Sequence, residues 1–162
     1  MKTAAVIPVK TFSNAKTRLQ LPVEKIEELC KIMLEEILQV LSISPKIEKI
    51  IIVTKEKKAI EIAKKFNAVV IIDEKEEGVN QAVSLAEEYL LENNFVASMV
   101  FPQDIPGIKI QDIDFMLNYK THPNFAIIVP SRKFDGTNAL VRMPVNLMET
   151  HYDNDSYRNH MA

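Results

Sequence analysis

Two hydrophobic periods alternate along the chain. Residues 3–9 (TAAVIPV), 47–54 (IEKIIIVT), 68–73 (AVVIID), 96–101 (VASMVF) and 125–130 (FAIIVP) are short, nearly continuous apolar runs of strand length. Between them lie segments with helical spacing. In residues 23–42, Ile26, Leu29, Cys30, Met33, Leu34, Ile37, Leu38 and Leu41 share one face, with Glu24, Lys25, Glu28, Lys31, Glu35 and Glu36 largely on the other. That pattern predicts an amphipathic helix, and weaker versions predict helices over 57–66, 80–92 and about 110–119. Residues 138–143 (NALVRM), after the loop 131–137 (SRKFDGT), predict a last strand that returns. Alternating strands and helices predict an α/β domain with a mostly parallel sheet. Strands apolar on both faces need helices on both sides, hence a three-layer α/β/α arrangement.

Composition narrows this to one globular domain. The chain has 162 residues, 47% hydrophobic and 26% charged, and no apolar run approaches the roughly 20 residues of a membrane span. The apolar start ends at Pro8 without a longer apolar core or a cleavage site, so the expectation is a soluble, cytoplasmic protein with no membrane partner. One cysteine, Cys30, excludes an internal disulfide, and its place on the apolar stripe makes it core filler. A net charge of −2 argues against a nucleic-acid surface. The charge is uneven, however. Lys2, Lys10, Lys16 and Arg18 precede the first acidic residue, Glu24.

That asymmetry puts Lys10, Lys16 and Arg18 between the first strand and the first long helix, where open α/β sheets hold phosphate. A solvated basic loop explains the same residues. Neither G-x-G-x-x-G nor a Walker A motif occurs among only three glycines, so any bound phosphate relies on side-chain cations and a metal. Asp104, in FPQDIPG between Pro102 and Pro106, is a carboxylate at a strand end, suited either to tether magnesium or to cap a turn. In DGTNAL, Gly136, Thr137 and Asn138 fit an anion seat, while Asp-Gly between apolar runs equally signals a hairpin. Gly78 and Asn80 precede the helix at 80–92, with Asn80 either its N-cap or a ligand contact. His122, His151 and His160 show no zinc-ligand spacing.

Taken in order, VIPVK with AKTRL, GVNQA, PQDIP, GTNAL and SYRNH resemble the 2-phospho-L-lactate guanylyltransferase family of coenzyme F-420 biosynthesis, over almost the whole chain. The resemblance implies a Rossmann-like, nucleotide-diphospho-sugar-transferase-like fold. It also implies a magnesium-dependent transfer of GMP from GTP to 2-phospho-L-lactate, giving lactyl-2-diphospho-5'-guanosine and pyrophosphate, with phosphoenolpyruvate or a related three-carbon acid as the other acceptor. By position, Lys10, Lys16 and Arg18 would hold the triphosphate with Asn80 nearby, Asp104 the Mg2+, and Thr137, Asn138 and Ser156 the acceptor. Such chemistry needs charge neutralisation rather than an activated nucleophile, since the attacking phosphate is already ionised. The family generally has a glycine shortly before the serine of SYRNH, where this chain has Asp153 and Asp155, and it continues into a D-x-D segment. Residues 1–162 are thus expected to form a single nucleotidyltransferase domain lacking a C-terminal segment. A non-catalytic nucleotide-binding module and a homodimer are both compatible with these residues.

Overall fold

In the computed structural model, residues 2–15, 19–119 and 123–162 are described. Six strands, β1 (Thr3–Pro8), β2 (Lys49–Thr54), β3 (Val69–Ile72), β4 (Ala97–Val100), β5 (Phe125–Pro130) and β6 (Thr137–Met143), form one sheet in the order β3-β2-β1-β4-β6-β5. β1 pairs in parallel with β2 and β4, and β2 with β3. β6 is antiparallel to both of its neighbours. The helices are α1 (Val23–Ile43), α2 (Lys57–Lys65), α3 (Val79–Glu92), α4 (Ile110–Asn118) and α5 (Ser156–Met161).

The period-two alternation of side chains along each strand builds two cores. Ala5, Ile7, Ile50, Ile52, Met99 and Val141 face α1, α2 and α4, which contribute Cys30, Leu34, Leu38, Ile62 and Met116. Ala4, Val6, Ile51, Val53, Val100 and Leu140 face α3, through Ala82, Val83, Ala86 and Leu90, and also meet Val145, Met148 and Tyr152. Leu34 and Leu38 are fully buried on the α1 stripe, each worth about 1.5–3 kcal/mol of apolar burial. The three layers expected from the apolar strands are therefore present.

Connectivity places the functional crevice. From β1 the chain moves outward through α1 and α2 over one face to β3, then crosses back through α3 over the other face to β4. The reversal leaves a gap at the carboxyl ends of β1 and β4, where ligands bind in such sheets. Because β6 runs against β4, its first residue, Thr137, arrives at that same edge.

The helix start near Asn80 differs from the sequence expectation. Gly78, not Asn80, is the N-cap of α3, at φ 111° and ψ 175°. A Cβ there meets nothing within 4 Å, so the backbone angle rather than space requires glycine. Asn80 enters the first turn, and its side chain is used elsewhere.

Candidate active site

Two clefts adjoin at the end of β1. The first, about 240 Å³, is lined by Pro8, Lys10, Val79, Gln103, Asp104, Thr137 and Tyr152, among others. The second, about 260 Å³, has apolar walls from Pro8, Val53, Val79 and Ala82 and an acidic side formed by Asp73, Glu76 and Glu77. Lys10 lines both.

The loop after β1 is fastened from three directions. The Lys10 amide donates to Gln103 Oε1 at 2.9 Å, joining the β1 and β4 loops. The Thr11 amide and hydroxyl both donate to the Glu76 carboxylate, the hydroxyl at 3.1 Å. The Phe12 amide donates to Glu56 Oε2 at 3.0 Å, and the Phe12 ring is fully buried. Backbone donors thus meet side-chain oxygens of Gln103, Glu76 and Glu56, leaving the exposed Lys10 side chain to the clefts. Lys16 and Arg18 lie outside the described residues, as does His122.

Asp104 and Thr137 line the same cleft as Lys10, so the structure brings these sequence candidates together. Thr137 Oγ1 lies 3.0 Å from Ser156 Oγ and 3.0 Å from His160 Nδ1, all three residues being buried. Asn138 is separated from them: it lies across β6 and lines another cavity with Ile105, Phe115, Met116 and Tyr119. That cavity is larger, about 530 Å³, but its described walls carry no cation to meet a phosphate. Asn80 uses its amide locally, accepting from the Tyr152 amide at 2.8 Å and donating to Asp153 Oδ2 at 3.3 Å. It tethers the segment that carries Tyr152 into the first cleft.

The DGTNAL loop is the β5–β6 hairpin. The Gly136 amide donates to Ser131 Oγ at 2.9 Å and the Asp135 amide to the same oxygen at 3.3 Å, so those amides do not form the anion seat proposed for Gly136. Asp153 is exposed, and Asp155, at φ 60°, pairs with Arg158 at 3.5 Å. Asp155 takes the Arg158 guanidinium, while Asp153 accepts from the neutral Asn80 amide and keeps its charge at an exposed position.

Four contributors escaped the sequence reading. Asp73 is 6% exposed and accepts the Glu76 amide at 3.2 Å, bracing the acidic side of the second cleft. Glu76 and Tyr152 gave no local signal. His160 did: it lies four residues after Ser156, on the same helical face. Burial, with the nearby His151 and Arg142 charges, holds its pKa below the ordinary histidine value. Burial likewise raises the Tyr152 hydroxyl, against a smaller opposing effect of Arg142.

A family model described as "Guanylyl transferase CofC like" matches residues 3–162. The chain belongs to this family. It is 29% identical over 165 residues to the phosphoenolpyruvate guanylyltransferase of Conexibacter woesei, covering all of this chain and 74% of that protein. It is 30% identical over 158 residues to the 2-phospho-L-lactate guanylyltransferase of Methanobrevibacter smithii, covering 96% and 68%. A cytidylyltransferase structure from Leptospira borgpetersenii superposes with a TM-score of 0.66 at 16% identity, over 91% of this chain and 62% of that one. The chain therefore spans less than two thirds of that structure's length. The likeness shows the Rossmann-like fold.

Among the described residues no group of three or more His, Cys, Asp or Glu is arranged to hold a metal. A single carboxylate such as Asp104 nevertheless fits magnesium, which keeps several waters and shares nucleotide phosphates with one or two protein carboxylates. No described helix is long and apolar enough to cross a membrane.

Proposed function

We propose that this CofC-like chain transfers GMP from GTP to a phosphorylated three-carbon acid. 2-Phospho-L-lactate is the first acceptor, and phosphoenolpyruvate is the second. The observation that carries the reading is the pair of clefts meeting at Lys10, one acidic and apolar-walled, the other holding Asp104 and Thr137. A nucleotide has that division: a base, a bridging polyphosphate and a reacting end.

The second cleft suits guanine. Its base edge presents N–H donors that carboxylates accept, and Asp73 and Glu77 supply carboxylates between apolar walls, while Glu76 is taken up by Thr11. Lys10, with Lys16 and Arg18 from the same loop, would neutralise the triphosphate. The acceptor would sit in the first cleft, with Thr137 and Ser156 contacting its carboxylate or phosphate. Asp104 would hold Mg2+, which when bound supplies charge neutralisation at the phosphates. An acceptor phosphate oxygen then attacks the α-phosphorus of GTP, forming the new P–O bond as the bond to pyrophosphate breaks. No general base is needed, because the attacking oxygen is already anionic near neutral pH. The residues' work is alignment and electrostatic stabilisation of developing charge.

The test is pyrophosphate release from GTP with magnesium, in the presence of 2-phospho-L-lactate, phosphoenolpyruvate or no acceptor. Release that depends on either acid is expected. GTP binding without acceptor-dependent release from either would overturn the reading.

A further inference from the structure

Behind the Thr137 wall of the first cleft, three hydrogen-bonding side chains meet. Thr137 Oγ1 contacts both Ser156 Oγ and His160 Nδ1 at 3.0 Å, and the other ring nitrogen, His160 Nε2, lies 2.8 Å from the His151 amide. Thr137, Ser156 and His160 are 7%, 5% and 5% exposed, so water does not randomise these bonds.

A backbone amide can only donate. His160 Nε2 is therefore the unprotonated, accepting nitrogen, and the proton of the neutral ring sits on Nδ1, donated to Thr137 Oγ1. An imidazolium would set an Nε2–H against the His151 N–H. The ring also faces His151, with centroids 6.2 Å apart, the edge of Tyr152 at 4.8 Å and the Arg142 charge from β6, with Asp155 and Arg158 on its own helix segment. Burial and the Arg142 charge both disfavour a second ring proton.

Counting protons then gives the network a direction. Nδ1–H, the Thr137 hydroxyl and the Ser156 hydroxyl provide three protons, and the two internal contacts use two. One hydroxyl proton remains: that of Ser156 if Thr137 donates to it, or that of Thr137 if the bond runs the other way. With the opposite tautomer Nδ1 would accept from Thr137, Thr137 would accept from Ser156, and no donor would be left over. The His151 amide, through the tautomer of His160, decides between a saturated pair and one that must donate outward.

We propose that His160 is a positioning residue that sets the Thr137–Ser156 hydroxyl pair as a hydrogen-bond donor to an anionic oxygen of the acceptor substrate. This rests on the acceptor seat assigned under Proposed function. A carboxylate or phosphate oxygen offers only lone pairs and satisfies the surplus proton. Selection for an acid in the cleft follows from the polarity of the network as well as from Lys10.

Two readouts test this. In the 15N-histidine-labelled wild-type protein at pH 7.5, long-range 1H–15N correlation is expected to show His160 protonated at Nδ1; an Nε2–H tautomer or an imidazolium overturns the proposal. Steady-state kinetics with GTP and 2-phospho-L-lactate or phosphoenolpyruvate are then compared for wild type, His160→Leu and His160→Asn, each checked for a native melting transition. Leucine removes the donor, while the asparagine amide restores one near Nδ1. By the same count His160→Leu leaves one hydroxyl proton but frees the pair from the ring that orients it, so the acceptor KM is expected to rise about 3- to 10-fold, the size of one neutral hydrogen bond. The GTP KM should stay within about twofold, and asparagine should recover most of the loss. Equal impairment of both variants, or a parallel rise in the GTP KM, overturns the positioning role. If His160→Leu does not fold, the wild-type tautomer remains decisive. Wild-type protein that turns over neither acceptor removes the functional reading and the ligand assigned to the pair, whereas the tautomer signal reports the pair's polarity without turnover, so the two failures are told apart.

Discussion

Replacing Glu76 by alanine removes the acceptor for two donors of the loop that carries Lys10. The Thr11 amide and hydroxyl both end on this carboxylate, whose side chain is 17% exposed, and Lys55 Nζ approaches it at 3.6 Å. Each such charge-assisted bond is worth about 1.5–3 kcal/mol when sealed from water. Thr11 is half-buried, so water replaces part of each bond, and the exposed Lys55 pair adds little. A net loss of about 1–2 kcal/mol is the working figure, or a fall of about 2–8 °C in melting temperature for a domain of this size. The β1 end itself stays fixed, because Val9 is held by the Val53 carbonyl at 2.9 Å and by the Thr54 hydroxyl at 2.9 Å. The loosening is thus confined to the loop, and the same 1–2 kcal/mol charged to GTP binding raises its KM about 5- to 30-fold. Glu76 sits at φ 49°, a strain that alanine retains, so the change isolates the side chain. Glu76→Gln keeps one accepting oxygen and should lose about half as much. Pyrophosphate release at varied GTP, with thermal unfolding alongside, measures both effects. An alanine variant with unchanged melting and a GTP KM within twofold of wild type would refute the latch.

Asp104→Asn is expected to lower magnesium-dependent turnover at least about 100-fold, since metal charge stabilisation is worth several kcal/mol and each ~1.4 kcal/mol is tenfold in rate; near-wild-type turnover in the same assay sinks the metal assignment. Arg142, fully buried on β6, pairs with Glu87 and donates to the Met148 carbonyl at 2.8 Å, while its Nε and Nη2 meet no acceptor among the described residues. Glu87→Ala strands that charge and should cost about 3–5 kcal/mol, whereas Glu87→Leu with Arg142→Met should recover most of it; chemical denaturation of both decides, and an equally unstable double variant contradicts the account. Stability should also fall on mild acidification. The folded His160 pKa lies below its unfolded value near 6.5, so the unfolded chain binds the extra proton first; the His160 contribution is whole above about pH 6.5 and is lost as pH falls towards the folded pKa. Melting temperature measured from pH 7.5 to 5 should show a drop that His160→Asn flattens, and an unaltered slope in that variant would exclude His160 as its source.

Much of the fold was legible because hydrophobic period is a local property. The α1 stripe from Ile26 to Leu41 and the apolar runs of β1, β2 and β4 reappear at their expected positions, within a residue or two at their ends. Helix capping was less legible. Asn80 is the better capping residue by composition, yet the backbone enters α3 through a positive φ that only Gly78 adopts without strain. The hairpin in DGTNAL was likewise visible only as one of two readings, because whether the Gly136 amide turns to a ligand depends on Ser131, five residues upstream.

The class of fold and the individual chemistries are local properties: a cationic loop after a strand, a carboxylate between prolines, hydroxyls near the last strand. These depend on residue type and neighbours along the chain. Which of them share a site depends on how the strands are ordered in space. The reversal of strand order at β1 sets Lys10 beside Asp104, and the antiparallel run of β6 delivers Thr137 to the same edge while turning Asn138 to the other side. Glu76 and His160 acquire their roles only through partners far along the chain, Thr11 and Thr137, because a hydrogen bond is defined by position in space and polarity, neither of which a residue carries alone.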